Sequence, residues 1–204
     1  EPDYSVAGTI DNTEYDKTHA DRFTVDGKSI TMEEDVQFAH YDPNVASLMQ
    51  LGKWFDYMRE NGVYDNTRII LVADHGRGLY LNWDRVIDNG PDTDFFFPLL
   101  MVKDFNAKGF SFSDTFMTTA DVPTLATSGL IDNPTNPFTG NAINANAKYD
   151  RPFYAFMSYD WDTSKNNGNQ FFPGTWYRVD NQNARDKRNW VMVGENTVLP
   201  DALR

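Results

Sequence analysis

A chain of 204 residues with a formal net charge of −12 at pH 7 and a pI near 4.5 lacks the basic footprint that nucleic acid and anionic membrane surfaces select. Its 40% hydrophobic and 15% aromatic content suffices to bury a core and argues against disorder. The absence of cysteine removes disulfides, thiolate metal sites and cysteine nucleophiles, and no apolar run approaches the roughly 20 residues of a membrane helix.

Residues 1–35 are polar, without sustained periodicity, and read as a long excursion over a surface. Within them, Phe23 to Met32 alternates around Asp26 and Gly27, a two-residue turn signal that predicts a hairpin. His19 sits in this polar stretch and reads as a solvated histidine. The first clear helix is predicted to start at Asp42 as N-cap with Pro43 in the first helical position. Val45, Leu48, Leu51, Phe55 and Met58 then recur at three and four residues, a stripe meant for a sheet, with Lys53, Asp56 and Glu60 outside. Asn61 and Gly62 close it in the left-handed conformation. His40, just ahead of the predicted cap, reads as a capping or packing residue.

Ile69 to Ala73 is a short β-branched apolar run that predicts an interior parallel strand, covered on both faces. It delivers Asp74 and His75 to the carboxyl end, where open α/β sheets place their sites. Neighbouring side chains on a straight strand diverge, so the two converge only if the chain bends, which Gly76 permits. Residues 77–94 are irregular, rich in Gly, Asn and Asp, and carry Arg77, Tyr80, Trp83, Asp84 and Arg85, as a substrate-side loop would. Phe95 to Val102 is predicted as a second buried strand parallel to the first, with Pro98 holding its amino half at an edge or bulge. Thr118 to Gly129 is predicted as a helix capped by Asp121, with Pro123 in the first turn and Gly129 closing it. After an Asn- and Pro-rich loop, residues 151–159, 174–179 and 188–193 are three aromatic-rich strands, expected to form an antiparallel meander whose rings serve as core rather than as a sugar platform.

Four of these stretches carry a resemblance. Tyr64 to Gly76, Phe97 to Lys103, Asp121 to Gly129 and the turn Phe138-Thr139-Gly140 are similar, in this order, to motifs of the sulfatase-like branch of the alkaline phosphatase superfamily. The resemblance covers residues 44–140 and implies an α/β fold. The expected architecture is a partial alkaline-phosphatase-like sandwich, a mainly parallel sheet with flanking helices, plus a small C-terminal antiparallel meander. The expected division is residues 1–150 as the C-terminal part of the catalytic domain and 151–204 as an antiparallel β subregion packed on it.

In such enzymes the Asp-His pair binds metal, which implies Asp74 and His75 as ligands for Mn²⁺, Ca²⁺ or Zn²⁺ and Arg77 or Arg85 as substrate-binding. The implied activity is hydrolysis or transfer of sulfate or phosphate esters. The direct Asp-His pair and the lack of cysteine lean toward membrane-anchored bacterial relatives that include lipoteichoic-acid synthases and phosphoethanolamine transferases, hence toward an extracellular or cell-surface location. The family's nucleophile motif has no counterpart here, so the chain is expected to be part of a larger enzyme and inactive alone. The alternative is a non-catalytic domain of the same family that binds glycan or a partner protein.

Overall fold

Of the stretch predicted as a hairpin, the two strands flanking residues 26–27 are paired. Strand β1 (Thr24–Val25) pairs antiparallel with β2 (Lys28–Ser29), placing Thr24 opposite Ser29. A computed structural model describes residues 17–19, 24–25, 28–29, 32, 35–81, 83–158 and 172–203. Asp26, Gly27 and most of the polar stretch before residue 35, like Tyr159 at the end of the first aromatic segment, lie outside the described residues. These residues fall into two compact units, one within Glu1–Leu71, Leu79–Leu81 and Leu100–Ser111, the other within Val72–Gly78, Asn82–Leu99 and Phe112–Arg204.

The first unit is built on α1 (Asp35–Glu60). Its start at Asp35 corrects the start expected at Asp42, and Pro43 lies inside the helix. Pro43 has no N–H to give the carbonyl one turn back. Around it, Asn44 Nδ2 donates to the His40 carbonyl at 2.5 Å and Ser47 Oγ donates to the Pro43 carbonyl at 2.7 Å. The buried face runs through Phe38, Asp42 and Ala46 to Met58. Leu48, two residues and about 200° of rotation beyond Ala46, is therefore 52% exposed instead of facing a sheet.

The helix ends as its sequence predicts. Gly62 takes a left-handed φ of 68° and the Val63 N–H reaches back to the Met58 carbonyl at 3.0 Å, the long bond of a Schellman closure. Tyr64 follows, its ring 5.7 Å from that of Phe55 and 4.3 Å from the guanidinium of Arg59.

Strand β3 (Ile69–Val72) forms where the β-branched run predicts it, but its partner β4 (Leu100–Lys103) runs the opposite way. The Asn106 N–H donates to Asp65, that of Ala73 is donated to Leu99, and that of Gly76 to Phe95, so one segment recedes as the other advances. A parallel pair needs a crossover, usually through an α-helix. Among the described residues of 73–99 no α-helix forms, but 3₁₀ turns at Trp83–Arg85 and Thr93–Phe96 and an isolated antiparallel bridge between Val86 and Asp92 do, and the chain doubles back along itself. The Thr93–Phe96 turn also takes the place of the amino half of the strand expected from Phe95. Lys103 anchors this pair by donating to the carbonyls of Tyr64 and Thr67 with its ammonium 4.3 Å over the Tyr64 ring. Next to it, Arg68 grips Asp104 at 2.9 Å and holds that carboxyl below its usual range.

The second unit carries the three-stranded sheet β5 (Phe153–Met157), β6 (Gly174–Val179) and β7 (Trp190–Thr197), paired antiparallel in that order with Ala155 opposite Tyr177 and Val179 opposite Trp190. These four residues form its core, and Ile87, Phe96, Phe153 and Ala184 pack against them. The Trp190 indole N–H donates to Ala184 at 2.8 Å, meeting the hydrogen-bond need of a buried tryptophan. Just before β7, Arg188 grips Asp186 at 2.6 Å and holds its carboxyl down to about 2. Helix α2 (Val122–Thr127) is short. Asp121 accepts from the Thr118 N–H at 2.7 Å and pairs with Lys148 at 3.0 Å.

The architecture corrects the expected fold class. Every strand pair among the described residues is antiparallel, the sheets hold two or three strands, and no parallel sheet flanked by helices is present. An alkaline-phosphatase-like sandwich is therefore not what these residues form. Its expected interior strand is also uncovered at one end, for Ile69 is buried while Val72 is 45% exposed. Among the described residues no helix is long and apolar enough to cross a membrane.

Candidate functional site

Strand β3 ends at Val72, and the chain bends over the next four residues. The bend is held by main-chain bonds from Ala73 to Leu99 at 3.0 Å and from Gly76 to Phe95 at 2.9 Å. It turns two neighbouring side chains, which a straight strand would send to opposite faces, toward one another.

Each of the two uses one atom to fix itself and leaves the other facing its neighbour. Asp74 Oδ1 accepts from the His75 N–H at 3.0 Å. His75 Nδ1 lies 2.7 Å from the Gly76 carbonyl, and since a carbonyl only accepts, Nδ1 carries the proton. In the neutral ring the lone pair is then on Nε2, which stands 3.8 Å from Asp74 Oδ2. That gap is within the span of two metal–ligand bonds of about 2.1 Å each. A ring nitrogen tied to a backbone carbonyl is the usual arrangement behind a metal-bound histidine. Both side chains are open to solvent, Asp74 at 90% and His75 at 61%.

A carboxylate oxygen and a neutral imidazole fit Mn²⁺ or Zn²⁺ and, with more oxygens, Ca²⁺. They supply two donors of the four or more that such ions take. Among the described residues no cluster of three or more His, Cys, Asp or Glu side chains forms. His19 and His40 belong to the first unit, whereas Asp74 and His75 belong to the second. His19 is exposed with its Nδ1 3.0 Å from the Thr18 hydroxyl, and His40 is half-buried on α1.

The two arginines differ. Arg85 is committed: its Nη1 pairs with Asp94 Oδ1 at 2.6 Å and its guanidinium lies 5.2 Å over the Phe97 ring. Arg77 lies two residues past His75, exposed, 5.8 Å over the Phe95 ring. No carboxylate among the described residues pairs with it, so its five donors stay available to an anion.

No family model, curated protein or solved structure matches the chain. Sequence reasoning picked out Asp74, His75 and Gly76 but passed over Asp92 and Asp94, which lie in an irregular stretch. One local signal was present. An Asp two residues before another residue can accept that residue's N–H in an Asx turn, and Asp92 Oδ1 does accept from the Asp94 N–H, at 2.9 Å. The aromatic residues of β5–β7 pack on each other, Tyr177 and Trp190 being buried and Phe156 lying 4.7 Å from Trp176.

Proposed function

We propose that this chain supplies a two-residue half-site for a divalent cation, Asp74 and His75, with Arg77 beside it to hold an anion, in an enzyme that hydrolyses or transfers sulfate or phosphate esters. One observation carries the reading: with Nδ1 bonded to the Gly76 carbonyl, His75 Nε2 lies 3.8 Å from the free oxygen of Asp74. The motif order from Tyr64 to Gly140 supports the same chemistry through its resemblance to sulfatase-like enzymes. The proposal rests on the site and not on that family's fold.

When bound, the cation would supply Lewis acidity toward an ester oxygen and lower the pKa of a nucleophile. Asp74 is open to solvent, so it binds without deep desolvation. In the neutral ring the bond to the Gly76 carbonyl already places the proton on Nδ1, which is the ligating tautomer. Arg77 offers a planar fork suited to a tetrahedral sulfate or phosphate group. The nucleophile and the remaining donors are other groups than these three.

A Mn²⁺ titration of the purified chain tests this. Paramagnetic broadening should fall first on the His75 ring, weakly and reversibly, and vanish in Asp74→Ala, while the chain alone leaves nitrophenyl sulfate and phosphate uncleaved. A His75 ring untouched by Mn²⁺ would falsify the assignment. Turnover by the chain alone that is lost in Asp74→Ala would overturn the view that these residues are only half of a site.

A further inference from the structure

The Thr93–Phe96 turn lies against the Asp74–His75 bend more closely than any side chain would allow. A Cβ on Gly76 would stand 2.0 Å from the Asp94 carbonyl oxygen and 2.8 Å from that of Phe97. One on Gly78 would stand 2.5 Å from the Phe95 ring and 3.0 Å from Asp92 Cβ. Two glycines thus let the strip 76–78 seat against the turn, and the Gly76 N–H to Phe95 bond at 2.9 Å fastens it. The Gly76 carbonyl, whose direction this seating sets, is the acceptor of the His75 Nδ1–H.

The turn has its own fastening. Asp92 Oδ1 accepts from the Asp94 N–H at 2.9 Å, and the N–H groups of Phe95 and Phe97 close onto the carbonyls of Asp92 and Asp94, both at 3.2 Å. The Arg85–Asp94 pair is more than two-thirds buried on both sides, so it is far less screened than a surface pair. The same guanidinium covers the Phe97 ring. One arginine therefore holds the Asp94 side chain and the residue at which the turn ends.

We propose that Asp94, latched by Arg85, is a positioning residue that sets the tautomer of His75. The path runs from the Arg85 guanidinium to the Asp94 carboxylate, through the Thr93–Phe96 turn to the Gly76 backbone, and from the Gly76 carbonyl to His75 Nδ1. Without the latch the turn loosens, the carbonyl is free to swing, and the ring reverts to the Nε2-protonated form that free imidazole side chains prefer. That form has a donor where a metal needs a lone pair. The inference deepens the proposed role of Asp74 and His75 and moves Arg85 from substrate contact to support.

Long-range ¹H–¹⁵N correlation spectra of the full 204-residue chain at pH 8 read the tautomer directly, with His75→Gln assigning the ring among three histidines. In the wild type the Nδ1-protonated form should dominate. Asp94→Ala and Arg85→Ala should each reverse the dominance, and Arg85→Lys, which keeps a cation facing Asp94, should preserve it. The Arg85 pair carries the test if Asp94→Ala does not fold. An Nδ1-protonated ring that persists in Asp94→Ala or Arg85→Ala, with the Trp190 indole signal unchanged, overturns the latch and leaves the metal reading intact. Conversely, a tautomer that follows the latch while Mn²⁺ fails to broaden the wild-type ring supports the latch and overturns the metal reading.

Discussion

Gly76 is the residue on which the site turns, and its role is steric. With the Asp94 carbonyl oxygen 2.0 Å from where a Cβ would be, alanine at 76 must push the Thr93–Phe96 turn away from the bend. Overpacking of this kind costs about 1–3 kcal/mol. Gly76→Ala should accordingly lower the urea midpoint of the second unit and weaken the Nδ1–H bond of His75, both readable in one set of NMR spectra. The sequence showed a glycine at a bend after two ligand-type residues, so Asp74, His75 and Gly76 were legible. Arg85 was not legible as support. Its partner Asp94 is nine residues away in an irregular stretch, and the bond between them depends on a 3₁₀ turn that no periodicity announces. Arg77 and Arg85 look equivalent in sequence, and only the Asp94 carboxylate separates them.

Among the elements, α1 shows where pattern reading stops. Pro43 after Asp42 is a sound start signal, because a proline in the first turn leaves no bond unmade. The helix extends to Asp35 nonetheless, with Gln37 donating its amide to Leu79 at 2.7 Å and Phe38 buried. Tertiary burial outweighs a local start signal, and it rotates the buried face away from Leu48. Gly52 lies inside this helix with open space around it. Gly52→Ala should stabilise the chain by about 1 kcal/mol, seen as a rise in the helical melting midpoint; a fall would mean that the space is used by a close approach. Strand β3 was legible from Ile69 to Val72 because its composition is local. The direction of its partner was not, since alternation and β-branching are the same for parallel and antiparallel neighbours. Direction is fixed by the connection, and residues 73–99 return by turns rather than over a helix.

At the scale of the whole molecule, charge dominates. With 30 acidic against 18 basic side chains, self-repulsion opposes compaction. Salt shortens the Debye length to about 8 Å at physiological strength, so the melting temperature should rise between low salt and 0.15 M as repulsion is screened. A fall would show that exposed pairs such as Lys108–Asp65 and Arg185–Asp114 contribute more than the net charge takes away. Composition made this visible, as it did the aromatic core around Tyr177 and Trp190. The two-unit division does not follow from composition, because each unit draws on separated stretches of chain. One detail of the first unit becomes a clock. The Lys103 ammonium is occupied by two carbonyls and a ring face, and acylating reagents require an amine that is free and deprotonated. Lys103 can acquire label only while these contacts to Tyr64 and Thr67 are broken, so the rate at which it reacts, set against that of the exposed Lys108, measures how often this part of the molecule breathes.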